Sequence, residues 1–288
     1  MIMRNVVKMK FSAEYFSVKD TLECGQVFRF RPFNDGYLVF SMDKCAYCYQ
    51  ENDQTVVECK SEDKEYFLNY FDLSRDYSAI YCDALSTGVE VLISSATAGK
   101  GIRILNQNPE ETLFSFIISQ NNNIPRIKGI IEKLCTSLGE KKEFMGESYY
   151  TFPSAKIMTQ KSVDFYKSLS LGYRSEYIYR LSQKLTNGFD VLSLRDKTTI
   201  DLKKSLLEIH GVGPKVADCV LLFGFHRSDS FPVDTWIDKV YRENFNGKLT
   251  NREKISEWFL SEFKENAGYF QQYLFHYKRI KEKIEQEA

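Results

Sequence analysis

Residues 28–60 alternate with the short period of strands: FRFRPF, GYLVFSM, KCAYCYQ and TVVECK are aromatic or β-branched runs parted by Asn-Asp-Gly, Met-Asp and Asn-Asp-Gln. Successive side chains of a strand face opposite sides and these separators are turn chemistry, so the pattern predicts an antiparallel sheet. From about residue 62 the period lengthens to that of a helix, first in EDKEYFLNYF, and stays helical through the remainder. Asn108-Pro109-Glu110-Glu111 reads as an N-cap, a proline at the first helical position and acids in the first turn. The apolar LFSFII follows and the polar SQNNN stops it. Ile124-Pro125 opens RIKGIIEKLCTSLG, which Gly139 closes. Residues 140–153 read as turn-rich, and further helices are expected near 162–169, 175–186, 199–208, 214–225, 234–245, 251–264 and 267–286. The expected fold class is α+β: an N-terminal antiparallel sheet domain with flanking helices over residues 1–100, then a larger all-α domain over 101–288.

Composition narrows the class without naming a function. With 288 residues, 43% hydrophobic and 27% charged, the chain has enough material for a substantial core and is far from a disordered or fibrous composition. Seven scattered cysteines suit a reduced, intracellular protein rather than a disulfide framework. The opening MIMRNVVKMKFSAEYF lacks a signal-peptide pattern and no segment is apolar enough to span a membrane, so a cytoplasmic, non-secreted protein is expected. The 39 basic and 39 acidic residues cancel, although the acids gather in residues 1–100 (11 basic, 15 acidic) and residues 101–240 are mildly basic (19 and 16). Bulk charge therefore does not point to a polyanion. Such a ligand would have to be held by local clusters and backbone amides.

One stretch offers that. A helix near 199–208 ends at Ile209-His210, Gly211-Val212-Gly213 supplies a tight turn, and Pro214 starts the next helix, so residues 199–225 form a helix-hairpin-helix. Free N–H groups and the positive dipole end near Gly213 can cup a phosphate without a basic side chain; a plain helical hairpin without a ligand fits the turn as well. Lys215 sits in the first turn of the second helix, where the dipole and partial desolvation are expected to lower its pKa and favour a neutral, nucleophilic amine. An ordinary solvated lysine is the bland alternative. Asp234, after the extended Phe231-Pro232-Val233, reads as a helix N-cap and also as a carboxylate facing the lysine, able to stabilise a developing cation or shuttle a proton.

Together these residues resemble the helix-hairpin-helix DNA glycosylase superfamily, and other segments narrow the resemblance to the 8-oxoguanine DNA glycosylase/AP lyase family. They are TLECGQVFRF at 21–30, NPEETLFSFIISQNNNIPRI at 108–127, LGYR at 171–174, GVGPKVADC at 211–219, FPVDTW at 231–236 and AGYFQQYLF at 267–275, in the family's order. The resemblance implies an enzyme of base excision repair that flips 8-oxoguanine out of duplex DNA, excises it by attack of a lysine amine at C1′, and nicks the strand by β-elimination through a Schiff base. Lys215 would be the nucleophile and Asp234 its electrostatic and proton-transfer partner. Gly25 would offer its carbonyl to N7–H of the oxidised base, Gln271 would read the Watson–Crick edge, Cys219 and Phe275 would sandwich the ring, and Phe223 would pack nearby. The plainer alternatives are a helical core stripe for both phenylalanines and a helix-end turn for the asparagine run. Asn121, Arg126 and Arg174 would contact the orphaned cytosine while Tyr173 wedges beside them. Gly211, Gly213 and Trp236 would meet DNA phosphate, with Trp236 standing where animal members carry a histidine, so that the donor there is uncharged.

The resemblance implies duplex DNA containing 8-oxoguanine as the partner, a monomer, a nucleoid-associated location in a prokaryote, and no cofactor beyond a structural monovalent cation at the hairpin carbonyls. Iron–sulfur relatives carry four cysteines beyond the hairpin; here Cys219 is the last cysteine, so no cluster is expected. Cys45-Ala-Tyr-Cys48 has no second pair at metal spacing and reads as strand. Two rivals stay open at this stage: a monofunctional alkylated-base DNA glycosylase acting through activated water, and a non-catalytic helix-hairpin-helix DNA-binding protein.

Overall fold

The structure is a computed structural model that describes residues 5–287. Its first layer is a five-stranded antiparallel sheet of β1 (Val6–Ser12), β2 (Phe30–Phe33), β3 (Gly36–Ser41), β4 (Lys44–Glu51) and β5 (Gln54–Lys60), in the order β1-β5-β4-β3-β2. The four expected strands are present, joined by two-residue loops whose first residues, Asn34, Met42 and Asn52, lie at positive φ. The reading from 28 to 60 missed β1. Its signal is the alternation in Val7-Lys8-Met9-Lys10-Phe11: Met9 is buried, while Lys8 and Lys10 face outward to Glu51. Cys45 and Cys48 fall three positions apart on β4 and so enter different clusters, Cys45 with Phe40 and Tyr149, Cys48 with Val57 and Cys59. An odd spacing in a strand places two side chains on opposite faces, so this Cys-x-x-C does not converge on one ligand.

The helices are α1 (Val18–Glu23), α2 (Lys64–Tyr70), α3 (Tyr77–Ser86), α4 (Glu90–Ala98), α5 (Pro109–Ser119), α6 (Ile124–Leu138), α7 (Ala155–Met158), α8 (Val163–Ser168), α9 (Arg174–Thr186), α10 (Thr199–Leu207), α11 (Pro214–Gly224), α12 (Thr235–Asn244), α13 (Arg252–Phe263) and α14 (Ala267–Glu287). Residues 140–153, expected as turns, instead form a hairpin of β6 (Lys141–Phe144) and β7 (Glu147–Tyr150). Strands of four residues are too short to show a period. Their pairing is decided by packing, since Phe144 and Tyr149 cover Leu38, Phe40 and Cys45 on one face of the large sheet.

Helix α5 is the axis of the helical body. Glu111 through Ile118 are all buried, which explains why LFSFII is apolar all round rather than striped. It lies against α11, while α4 lies against α14. Sheet and axis meet at Arg29, whose Nη1 is 3.2 Å from Glu111 Oε1 and also donates to the Met42 carbonyl, while Nη2 donates to the Tyr150 carbonyl. Glu111 also accepts from the Met42 amide, tying the positive-φ turn to the helix start. The helical core draws Cys24, Phe28, Tyr77, Ile80 and Leu92 from the first hundred residues into one cluster with α5, α11 and α14. Among the described residues, no helix is long and apolar enough to cross a membrane.

Candidate active site

The hairpin is built as its residues dictate. Gly211 sits at φ +88°, and a Cβ there would come within 2.4 Å of the Tyr177 ring, so only glycine fits by conformation and by space. The Gly211 carbonyl accepts from Gln120 Nε2 at 2.8 Å, which ties the turn to the end of α5. Gly213 caps α11 and faces open space, and after Pro214, which has no N–H, Lys215 and Val216 are the first amide donors of the helix and border the same cleft. One turn later, Asp218 is buried and paired with Lys203 of α10 at 2.6 Å; burial nevertheless pushes its carboxyl up to about 6. This pair locks the two hairpin helices together.

Lys215 is half-buried with Nζ 5.3 Å from the centre of the Phe116 ring. Burial alone would lower its pKa as expected from the sequence. The Cys219 side chain one turn below, then Asp234, outweigh it and hold the ammonium above its usual value. The expectation of a lowered pKa is thus corrected: the helix start desolvates the amine, but the Cys219 sulfur and the Asp234 carboxylate favour its protonated form. Burial pushes the Cys219 thiol up to about 11, so at neutral pH it is a thiol beside a charged amine. Asp234 is the N-cap of α12 and takes the Trp236 and Ile237 amides on a single oxygen, Oδ1, at 2.9 and 3.0 Å. The cap therefore engages one oxygen of the carboxyl group and leaves Oδ2 outside these two bonds.

Two spaces open from Lys215. The outer one is a cleft of about 480 Å³ walled by Gln120, Asn121, Gly213, Lys215, Asp234, Trp236 and Arg252. The inner one is lined by Gly25, Phe116, Lys215, Cys219, Phe223, Asp234, Gln271 and Phe275 and is closed to about 30 Å³, room for little more than a water molecule. Admitting a ring-sized ligand requires some of these walls to move; the half-buried Phe275 is one of them. Gln271 is buried, its Nε2 donates to the Pro232 carbonyl at 3.2 Å, and its Oε1 has no partner. A buried orphan acceptor is costly unless a ligand donor meets it. Phe223 stacks on Phe116 at 5.5 Å between ring centres and forms the pocket floor.

Gly25 follows the end of α1 at φ +95°, the left-handed conformation that ends a helix. Gln26, which the sequence reading passed over, anchors it: its side chain bonds the carbonyls of Thr21 and Arg103 and the amide of Leu105, and its own carbonyl accepts from Gln107. The signal was present as a polar side chain between Cys24-Gly25 and the apolar Val27-Phe28.

The remaining expected residues gather at the outer rim. Asn121 is exposed at φ +47° in the corner between α5 and α6, with its amide 3.3 Å from the Tyr173 hydroxyl. Tyr173 is 50% exposed. Arg126 is exposed and reaches the Ser170 carbonyl. Arg174 is buried, and its donors reach the carbonyls of Gln120, Asn121 and Leu171. It shapes the Asn121 corner from behind instead of projecting from it.

A lysine behind a helix-hairpin-helix, a capping aspartate across the cleft and a ring-lined pocket at the sheet junction define the class of helix-hairpin-helix DNA glycosylases. A family model described as 8-oxoguanine DNA glycosylase, N-terminal domain, matches residues 8–113. A probable N-glycosylase/DNA lyase of Methanothermobacter thermautotrophicus is 32% identical over 229 residues, 73% of this chain and 72% of that one. An N-glycosylase/DNA lyase of Saccharomyces cerevisiae is 31% identical over 205 residues, 66% of this chain but only 54% of the yeast protein. The Clostridium acetobutylicum 8-oxoguanine glycosylase/lyase, solved with duplex DNA containing cytosine opposite 8-oxoguanine, superposes with a TM-score of 0.91 at 31% identity over 97% of both chains. The chain belongs to the 8-oxoguanine DNA glycosylase family.

Proposed function

We propose that this chain flips 8-oxoguanine out of duplex DNA, excises it and then nicks the strand. The observation that carries the reading is that Lys215 and Asp234 line both the outer cleft and the inner ring pocket, so one amine can reach a sugar in the first when the walls of the second move to admit its base. The neutral Lys215 amine attacks C1′, the glycosidic bond breaks, and the base departs with the bonding electrons and a proton. Asp234 stabilises the cationic sugar, takes the proton that the amine loses and delivers it to the departing base. Sugar ring opening leaves an imine on Lys215, β-elimination expels the 3′ phosphate, and water frees the enzyme. The family membership and the relative solved with lesion DNA support this course.

In this reading the Gly25 carbonyl accepts N7–H of the oxidised base and faces a bare lone pair on guanine. Such a swap at a buried site is worth about 1–3 kcal/mol. Gln271 Oε1 meets a donor on the Watson–Crick edge, Cys219 and Phe275 enclose the ring, Gly211, Gly213 and Trp236 receive phosphate, and Asn121, Arg126 and Tyr173 occupy the gap opposite cytosine. Arg174 supports them through the corner it holds. The work belongs where chromosomal DNA lies, in line with the cytoplasmic location expected from the sequence.

Borohydride should trap a covalent complex with duplexes carrying 8-oxoguanine, fastest opposite cytosine among the four bases. Lys215→Gln should abolish trapping. An undiminished yield from that variant overturns the assignment of the nucleophile, and excision without any trapped imine would favour activated water.

A further inference from the structure

Gln271, Phe275 and Arg279 recur every four residues along α14 and so share one face. The first two line the inner pocket; the third lies just behind it. Arg279 Nη1 donates to the Cys24 carbonyl at 3.1 Å, an oxygen that also accepts from Gln272 Nε2 at 3.0 Å. Its guanidinium carbon is 5.3 Å from the centre of the Phe275 ring. A Cβ placed on Gly25 would stand 3.1 Å from Arg279 Nη1 and 3.2 Å from Phe275 Cε1, so backbone, guanidinium and ring form one contact group. The charge is half-buried and is answered by carbonyls, a ring face and the more distant Asp234.

We infer that Arg279 is a positioning residue for base recognition, holding the Cys24–Gly25 peptide and the Phe275 ring in the arrangement that separates the oxidised base from guanine. The inference rests on the reading of the inner pocket given above. The direction of the Gly25 carbonyl depends on the peptides on either side of it. Gln107 pins the Gln26 carbonyl beyond it, and Arg279 with Gln272 pins the Cys24 carbonyl before it. A hydrogen bond weakens steeply with angle, so a tipped peptide both loses N7–H of the lesion and relaxes the repulsion of bare N7. The same guanidinium lies over the ring of Phe275, which lines the pocket. One arginine thereby couples the two recognition elements, which come from chain segments about 250 residues apart.

The test compares the wild type with Arg279→Met, which keeps the apolar stem, and Arg279→Lys, which keeps the charge. Three single-turnover rates are measured: excision of 8-oxoguanine opposite cytosine, excision of guanine, and strand cleavage at a preformed abasic site, which bypasses the base pocket. R279M should lower 8-oxoguanine excision by about ten-fold or more, the loss expected for one charged hydrogen bond, and narrow its ratio to guanine. Cleavage at the abasic site should change by less than about two-fold, and R279K should recover part of the lost excision. Equal falls in excision and abasic-site cleavage, or unchanged excision by R279M, overturn the inference alone. A wild type that fails to excise 8-oxoguanine overturns the underlying reading, and this inference with it.

Discussion

At the residue scale, Lys215 shows how neighbours reverse a local rule. Its place at a helix start favours a neutral amine, yet Cys219 and Asp234 keep the proton on. The free protein at neutral pH therefore carries an ammonium, and the nucleophile is the small neutral fraction. Excision kcat/KM should rise with pH by up to about ten-fold per unit from neutral into the alkaline range. Cys219→Ala should move the rising limb to lower pH, because it removes a group that holds the proton. A pH profile already flat at neutrality would show that the lysine is not held up. Asp234 was legible from the sequence as a cap; that the cap takes both amides on a single oxygen was not.

At the scale of elements, the hairpin depends on the Asp218–Lys203 pair between α10 and α11. The Asp218 carboxyl is raised from its unfolded value of 3.8 to about 6. A raised carboxyl binds more protons in the folded chain, so its contribution to stability is greatest below pH 3.8 and is lost as pH rises through about 6. Lys203→Met removes the compensating charge from a nearly buried carboxylate. It should destabilise the fold by about 3 kcal/mol at pH 8 and clearly less at pH 5, where the carboxyl protonates. Urea unfolding at the two pH values measures this, and an equal loss at both would show that packing, not charge, ties the helices. The helix boundaries around this pair followed from caps and prolines. The partnership did not, because lysine and aspartate fifteen residues apart carry no sign of meeting.

At the scale of the molecule, the site is assembled from distant segments: Gly25 from the edge of the sheet layer, Lys215 from the hairpin, Gln271 and Phe275 from the last helix. Arg29 and Glu111 hold the sheet against the helical axis. Glu111→Gln would leave a buried guanidinium unpaired and should cost about 3 kcal/mol in chemical unfolding. Its effect on activity should fall on excision before abasic-site cleavage, since it loosens the layer that carries Gly25. An excision rate and a stability both unchanged would show that the sheet is held by its apolar contacts alone.

The order of sheet and helices, the hairpin, the lysine and its aspartate were written in short-range patterns: alternation, capping residues, prolines and paired glycines act within a few positions. Sequence resemblance extended this to the base pocket and rim. What only the tertiary structure decided are the long-range meetings. Strand β1 joins β5 across some fifty residues, the β6–β7 hairpin forms because the sheet offers it an apolar face, Arg174 turns inward to carbonyls, and the Lys215 proton is retained by groups from another turn and another helix. Burial and electrostatic fields depend on which segments end up adjacent, and adjacency in space has no local spelling in the chain.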